Sequence, residues 1–164
     1  MEQRCVALKL LLDAVSIPSQ IRTVADRKRV QKAVYLIQLT GVDLGYQYGW
    51  YLMGPYSPAL TRDYYNLAAA LDEGDDETVG VELRGPVRER VDGIKSLMKV
   101  PDYLEVLHVD QPSWLELVTS VHYLQKVRGL TEAAADQELE RSKPAIAPWA
   151  FAARQELRNR SLLT

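Results

Sequence analysis

Apolar residues recur at the spacing of an α-helix through most of this chain, and the pattern changes to a period of two most clearly between residues 46 and 53. That alternation predicts a β-strand with one aromatic face, formed by Tyr46, Tyr48, Trp50 and Leu52. We expect Gly54-Pro55 to end this strand, and residues 79–83 to form a second short strand that pairs with it. The predicted fold class is therefore mainly α with a small antiparallel β element, an α+β fold.

Capping residues and glycines place the predicted helices along the chain. Ser57 followed by Pro58 is a favourable helix start, and Ser113 and Glu116 have the spacing of a capping box. Gly41 is expected to end the second helix. These signals and the apolar stripes predict helices over residues 3–15, 26–40, 57–71, 87–98, 104–107, 113–128, 131–141 and 148–162.

The length of 164 residues favours a single domain over residues 1–164. The acidic stretch 72–77 suggests an alternative with two lobes, residues 1–72 and 79–164, but each half alone would have a marginal core. The apolar run near the amino terminus is interrupted by Lys9 and closed by Asp13, so it does not resemble a signal peptide. No apolar segment is long enough to cross a bilayer, and we expect a soluble, cytoplasmic protein.

The residues that carry enzymatic or metal chemistry are few. The lone Cys5 excludes an internal disulfide and is expected to be a buried structural thiol. His108 and His122 lie on different predicted elements and lack the close spacing of zinc ligands. The chain contains no phosphate-binding glycine loop, no dinucleotide fingerprint and no serine elbow. We therefore expect no enzymatic activity, no cofactor and no metal, although catalytic residues dispersed in sequence remain an alternative.

A basic cluster precedes and opens the second predicted helix, and it has two interpretations. It consists of Arg22, Arg27, Lys28, Arg29 and Lys32. Basic side chains near a helix start are suited to phosphate contacts. The formal net charge of −2 gives no general support for nucleic-acid binding, so solvated positions on a partly buried helix are favoured.

Six of the nine tyrosines lie within residues 46–65, and they too have two interpretations. Tyr46, Tyr48 and Trp50 on one strand face are expected to be core. Tyr51 and Tyr56 would point elsewhere, beside the Gly-Pro turn, where tyrosines make good contact residues because they lose little side-chain entropy on binding.

Two short motifs carry a resemblance to a known family. They are Gln31-Lys32-Ala33-Val34-Tyr35-Leu36 on a helix and Gly54-Pro55-Tyr56-Ser57-Pro58 between a strand and a helix. The segment 29–67 that contains them resembles the N-terminal signature of the Panacea (SocA-like) antitoxin domain and of the related YwgA-like bacterial proteins. The later run WLELVTSVHYLQKV also resembles a helix in the second half of those proteins.

The resemblance implies a mostly helical, non-enzymatic protein that binds a partner protein, typically a toxin encoded alongside. On this hypothesis the chain is a bacterial interaction module, antitoxin-like or defence-associated. Its expected contact residues are Arg29, Lys32, Tyr51, Gly54, Pro55, Tyr56 and Ser57. The alternative is a DNA-binding regulator, in which three helices followed by a two-strand wing would make a winged-helix-like N-terminal half with the helix from Ser57 as reader.

Overall fold

The computed structural model describes all 164 residues, and helices account for 61% of them. The sheet has two antiparallel strands, so the predicted mainly α fold with a small β element is confirmed. The elements are α1 (Gln3–Ala14), α2 (Val24–Leu39), β1 (Gly49–Tyr51), β2 (Gly54–Tyr56), α3 (Pro58–Asp72), α4 (Gly85–Asp92), α5 (Asp102–Glu105), α6 (Gln111–His122), α7 (Glu132–Ser142) and α8 (Ala150–Asn159). Short 3₁₀ turns cover Lys95–Met98 and Ala147–Trp149, and a π-helical turn over Tyr123–Val127 extends α6.

Helix α6 is the centre of the fold, and it packs against α2 on one side and α8 on another. The apolar stripe predicted for it is confirmed, because Trp114, Leu117, Val118, Val121 and Leu124 are all fully buried. The indole N–H of Trp114 donates a hydrogen bond to the carbonyl of Leu97 at 2.9 Å, which satisfies its polar atom in the core. The buried apolar residues form one continuous cluster that includes side chains from both sides of the acidic stretch.

The two strands form one short hairpin between α2 and α3, in which Gly49 pairs with Tyr56 and Tyr51 pairs with Gly54. Leu52 and Met53 form its turn. The prediction that Gly54-Pro55 ends the strand is wrong, since these residues begin β2. A proline is tolerated there because each strand of a two-stranded sheet has a free edge that needs no N–H donor.

The predicted strand over residues 79–83 is also wrong, because this segment has no regular structure and Val79 is 80% exposed. A strand that pairs across a two-residue turn closes a much shorter loop than one that must pair from beyond α3. No strand follows α3, so the alternative of a winged-helix-like N-terminal half, with a two-strand wing after three helices, is wrong as well.

Most helix starts agree with their predicted caps, and α6 is the exception. The hydroxyls of Ser57 and Thr131 accept hydrogen bonds from N–H groups in the first turns of α3 and α7. Helix α6 begins earlier than predicted, because Asp110, rather than Ser113, is its N-cap and accepts a hydrogen bond from the Ser113 N–H at 2.9 Å. The predicted helix 87–98 is divided at Gly93 into α4 and a 3₁₀ turn. None of the helices is both long and apolar enough to span a membrane.

Candidate functional site

The sequence pattern favoured solvated positions for the basic cluster at the start of α2, but the structure buries one of its members. Lys32 is only 2% exposed, although Arg22 stays exposed. The ammonium of Lys32 donates a hydrogen bond to the carbonyl oxygen of Pro55 at 2.6 Å. A buried charge is tolerated when it is hydrogen-bonded and paired, and here β2 provides the acceptor.

A second buried lysine holds the other end of the hairpin turn. The ammonium of Lys143, from the segment after α7, donates a hydrogen bond to the carbonyl of Leu52 at 2.7 Å and lies 5.3 Å from the centre of the Trp50 ring. The carboxylate of Glu116 on α6 lies 3.1 Å from the same ammonium. We call Lys32, Lys143 and Glu116 the hairpin clamp, since the two amines bind the carbonyl of Pro55 in β2 and that of Leu52 in the turn.

The clamp has two ammonium groups and one carboxylate, so its charges do not balance. Glu116 also pairs with Lys28 at 2.8 Å, so one carboxylate serves several ammonium groups in a nearly dry environment. The pKa of Lys32 is lowered to about 7, mainly because the ammonium is buried; the charge of Glu116 opposes this effect, and the charges of Lys143 and Lys28 add to it. The arrangement is therefore electrostatically costly, because the attraction between buried charges can be smaller than the cost of removing them from water.

The residues that carry the family resemblance contact each other directly. The side-chain amide of Gln31 donates to the carbonyl of Ser57 at 2.9 Å, and its oxygen accepts a hydrogen bond from the Ser57 N–H at 2.9 Å. Lys32 beside it binds Pro55. The helix motif thus holds the Gly-Pro-Tyr-Ser motif by three hydrogen bonds, and it fixes where β2 ends and α3 begins.

Gly54 lies against α6 so closely that no side chain fits there. Its φ is +91°, and a Cβ placed on it would lie 2.6 Å from the Ser120 hydroxyl oxygen and 3.6 Å from the Lys32 ammonium nitrogen. Ser120 is fully buried, and its hydroxyl has no hydrogen-bond partner. Glycine is required here for both its backbone conformation and the close approach.

A groove of about 400 Å³ lies between the start of α2, the hairpin turn and α3. Its walls are mostly aromatic and apolar, and several of these side chains are exposed: Val24, Tyr51, Leu52, Met53 and Tyr65. Leu52 at the tip is 87% exposed. The Tyr51 and Tyr56 rings meet edge to face at 5.0 Å, and the Thr61 hydroxyl donates a hydrogen bond to the Tyr56 oxygen at 2.6 Å.

The structure separates the predicted contact residues into three groups. Tyr51 and Tyr56 line the groove, as the contact interpretation expects. Arg29 pairs with Asp26 on the same helix and lies outside the groove lining. The remaining four are buried: Gly54 and Pro55 belong to β2, Lys32 and Ser57 hold the hairpin from α2 and the start of α3, and among the four only Lys32 lines the groove. Leu52, Met53 and Tyr65 lie within the region 46–65 that the sequence indicated as the contact face, although none of them was singled out there. Val24 was missed, because no local signal in the sequence marks it as part of this site.

The core interpretation of the other aromatic residues is supported by their packing. Tyr46 is buried and donates a hydrogen bond from its hydroxyl to Asp63 at 2.6 Å. Tyr48 and Trp50 are partly buried and pack against the core, where the Trp50 ring stacks on Tyr123. The tyrosine-rich stretch therefore contributes both to the core and to the groove.

The two histidines have different environments. His122 is buried, and its Nδ1 shares a hydrogen bond with the Tyr35 hydroxyl at 2.7 Å. Burial lowers the pKa of His122 to about 4, which keeps the ring neutral near pH 7. His108 is exposed and has a left-handed backbone conformation with φ of 64°. Cys5 is 2% exposed, and burial raises its thiol pKa, in agreement with a structural role.

The carboxylates of the acidic stretch contact other groups of the chain, including the amino group of Met1. Asp76 accepts hydrogen bonds from the backbone N–H and the hydroxyl of Thr78, and Lys9 lies 3.8 Å away. No group of three or more His, Cys, Asp or Glu side chains is arranged to hold a metal ion. The groove beside the hairpin is therefore the candidate functional site with the clearest structural support.

No family model, curated protein or solved structure that was compared with the chain matches it.

Proposed function

We propose that this protein is a non-enzymatic interaction module, antitoxin-like or defence-associated, that binds a partner protein through the hairpin tip and the adjoining groove. The observation that carries the proposal is an apolar tip held out in solvent by a buried polar clamp. Leu52 is 87% exposed, while the carbonyl of the same residue is bound by the buried ammonium of Lys143.

The residues of the turn are apolar although the turn backbone does not require this. The left-handed conformation beside the turn is adopted by Gly54, with φ of +91°, and neither Leu52 nor Met53 has a positive φ, so the backbone does not demand these two side chains. Here the turn is Leu52-Met53, and both side chains are exposed. Together with Tyr51, Val24 and Tyr65 they make a contiguous apolar surface beside the groove, and such surfaces commonly mark sites of protein–protein contact.

The clamp would also make binding more favourable by fixing the hairpin before the partner arrives. Association costs free energy for every loop and side chain that must be ordered. Hydrogen bonds from Lys32 to Pro55 and from Lys143 to Leu52 have already ordered this turn. The neighbouring Tyr51 and Tyr56 rings restrict each other by their edge-to-face contact.

The resemblance to the Panacea and YwgA-like proteins supports the antitoxin-like part of the proposal. Members of the Panacea group neutralise a toxin by binding it, so the expected partner is a cognate toxin. The helix motif that carries the resemblance supplies Gln31 and Lys32, whose side chains hold the backbone of the hairpin end.

The test is partner capture with variants of the hairpin tip. The full chain would be immobilised and exposed to lysate of the source cells, with Leu52→Asp as the test variant and Val106→Asp as the control. Val106 is 76% exposed and lies outside the groove lining, so it matches Leu52 in character and accessibility. We expect one dominant partner that the control retains and Leu52→Asp loses, with circular dichroism unchanged in both variants. A partner retained equally by both variants, or no retained protein, would contradict the proposal.

A DNA-binding role has no comparable observation in its favour. The proposed reader helix α3 contains a single basic residue, Arg62, and no wing follows it. Recognition helices usually present several polar or basic groups to the bases. A mobility-shift titration at low salt would detect such binding if it occurs.

A further inference from the structure

We infer that the segment of the partner that enters the groove is acidic and amphipathic, with an aromatic or branched apolar side chain beside a carboxylate. This inference rests on the proposed function and names the chemistry of the partner at that site. The apolar side chain would lie against Tyr51, Met53 and Tyr65, and the carboxylate would bind Arg27.

The charge of the groove differs from that of the whole chain. The chain has a formal net charge of −2. The groove is lined by three basic residues, Arg27, Lys28 and Lys32, and by no aspartate or glutamate. Complementary charge across an interface directs the approach of a partner and disfavours partners of like charge.

Of these three cations, Arg27 is the one available to a ligand. Lys28 is already paired with the carboxylate of Glu116 at 2.8 Å, and Lys32 is buried against Pro55. Arg27 donates to the backbone carbonyl of Ile21 at 3.0 Å and forms no ion pair with any carboxylate. A guanidinium has five N–H donors, so most of the hydrogen-bonding capacity of Arg27 remains free for a carboxylate.

The walls of the groove indicate that the ligand is not a small inorganic anion. Tyr51, Leu52 and Met53 expose apolar surface that a fully hydrated anion would not cover. A volume of about 400 Å³ is within the range of pockets that bury drug-sized groups, and it suits one or two large side chains. On one short segment, an apolar side chain would cover the apolar walls of the groove, and an adjacent carboxylate would pair with Arg27.

The experiment is selection from a random peptide display library on the immobilised full chain, followed by affinity measurement on synthetic copies of the selected peptides. We expect the selected peptides to share an aspartate or glutamate within a few residues of a Trp, Phe, Leu or Ile. We expect Arg27→Glu to weaken their binding at least tenfold, and affinity to fall as salt rises, since a charge pair across the interface is screened by ions.

Two further variants separate loss of charge from loss of structure. Arg27→Gln removes the charge but keeps an N–H donor for Ile21, and it should also weaken binding. Arg128→Glu is the control, because Arg128 is exposed, forms no ion pair and lies outside the groove lining. Arg128→Glu should bind as the parent chain does, and thermal unfolding should show that all three variants are folded.

The outcomes distinguish this inference from the proposed function. Selected peptides that lack acidic residues but lose binding in Leu52→Asp would refute the acidic preference and leave the groove as an interaction site. Selection of no peptide, or of peptides whose affinity does not change in the Arg27 variants, would also refute the inference. The proposed function is tested separately, by the partner-capture experiment.

Discussion

The position where the hairpin meets α6 gives the sharpest test of the structure. Gly54→Ala would place a methyl group 2.6 Å from the Ser120 hydroxyl oxygen, on a backbone with φ of +91°. Left-handed backbone costs an L-residue roughly 1–2 kcal/mol, and overpacking a tight site costs roughly 1–3 kcal/mol. We therefore expect Gly54→Ala to lower the free energy of unfolding by about 2–5 kcal/mol.

A double-mutant cycle separates these two costs. In a Ser120→Ala background the clashing oxygen is gone, so Gly54→Ala should cost only the roughly 1–2 kcal/mol of backbone strain. The coupling free energy between the two positions should be about 1–3 kcal/mol. Gly45→Ala is the matched control, since Gly45 has φ of +77° but nothing within 4 Å of an added Cβ.

Urea unfolding followed by far-ultraviolet circular dichroism gives the free energies, and tryptophan fluorescence checks that the transition is two-state. Trp50 lies in the hairpin and Trp114 in the core, so together they report on both regions. The reasoning is refuted if Gly54→Ala costs no more than Gly45→Ala, or if Ser120→Ala leaves the cost of Gly54→Ala unchanged.

Four further predictions concern the buried polar groups. Ser120→Ala alone should stabilise the fold by about 1 kcal/mol in urea unfolding, because it removes a buried hydroxyl that has no partner; a loss of stability would contradict this. Tyr35→Phe should destabilise by about 1–3 kcal/mol, since it leaves His122 Nδ1 unpaired, and an unchanged midpoint would show that the hydrogen bond does not form. In pH titrations of stability, His122 takes up a proton near pH 6.5 when unfolded but only near pH 4 when folded, so stability should fall as pH drops through that window, and His122→Gln should reduce the slope. The pKa of Lys32 is about 7 in the folded chain and 10.5 in the unfolded chain, so the free energy of unfolding should increase as pH rises from 7 to 10.5. This pH dependence should be absent in Lys32→Met, and its persistence there would contradict the assignment to Lys32.

The sequence alone predicted the elements whose signals are local. The caps Ser57 and Thr131 lie where the helices α3 and α7 begin, because a capping hydroxyl acts only within the next three residues. The stripe from Trp114 to Leu124 predicted the buried face of α6, because helical spacing alone places those side chains together.

The sequence also localised the candidate site to the tyrosine-rich stretch, but it did not identify the residues that form it. Tyr51 and Tyr56 were predicted as contacts and line the groove. Val24 and Tyr65 join them only because α2 and α3 pack on either side of the hairpin. Which residues of different elements lie close together depends on tertiary packing, and the periodicity within one element does not predict it.

The clamp was decided by the tertiary structure. Glu116 has the spacing of a capping box with Ser113, yet its carboxylate binds Lys28 and Lys143 instead. A lysine on a helix is expected to reach solvent, because burying its charge is costly unless acceptors surround it. The acceptors for Lys32 and Lys143 are backbone carbonyls 23 and 91 residues away in the chain. Local sequence therefore determined the helices. Only the folded chain brings together the distant polar groups that stabilise these buried charges, and with them the hairpin that the charges hold.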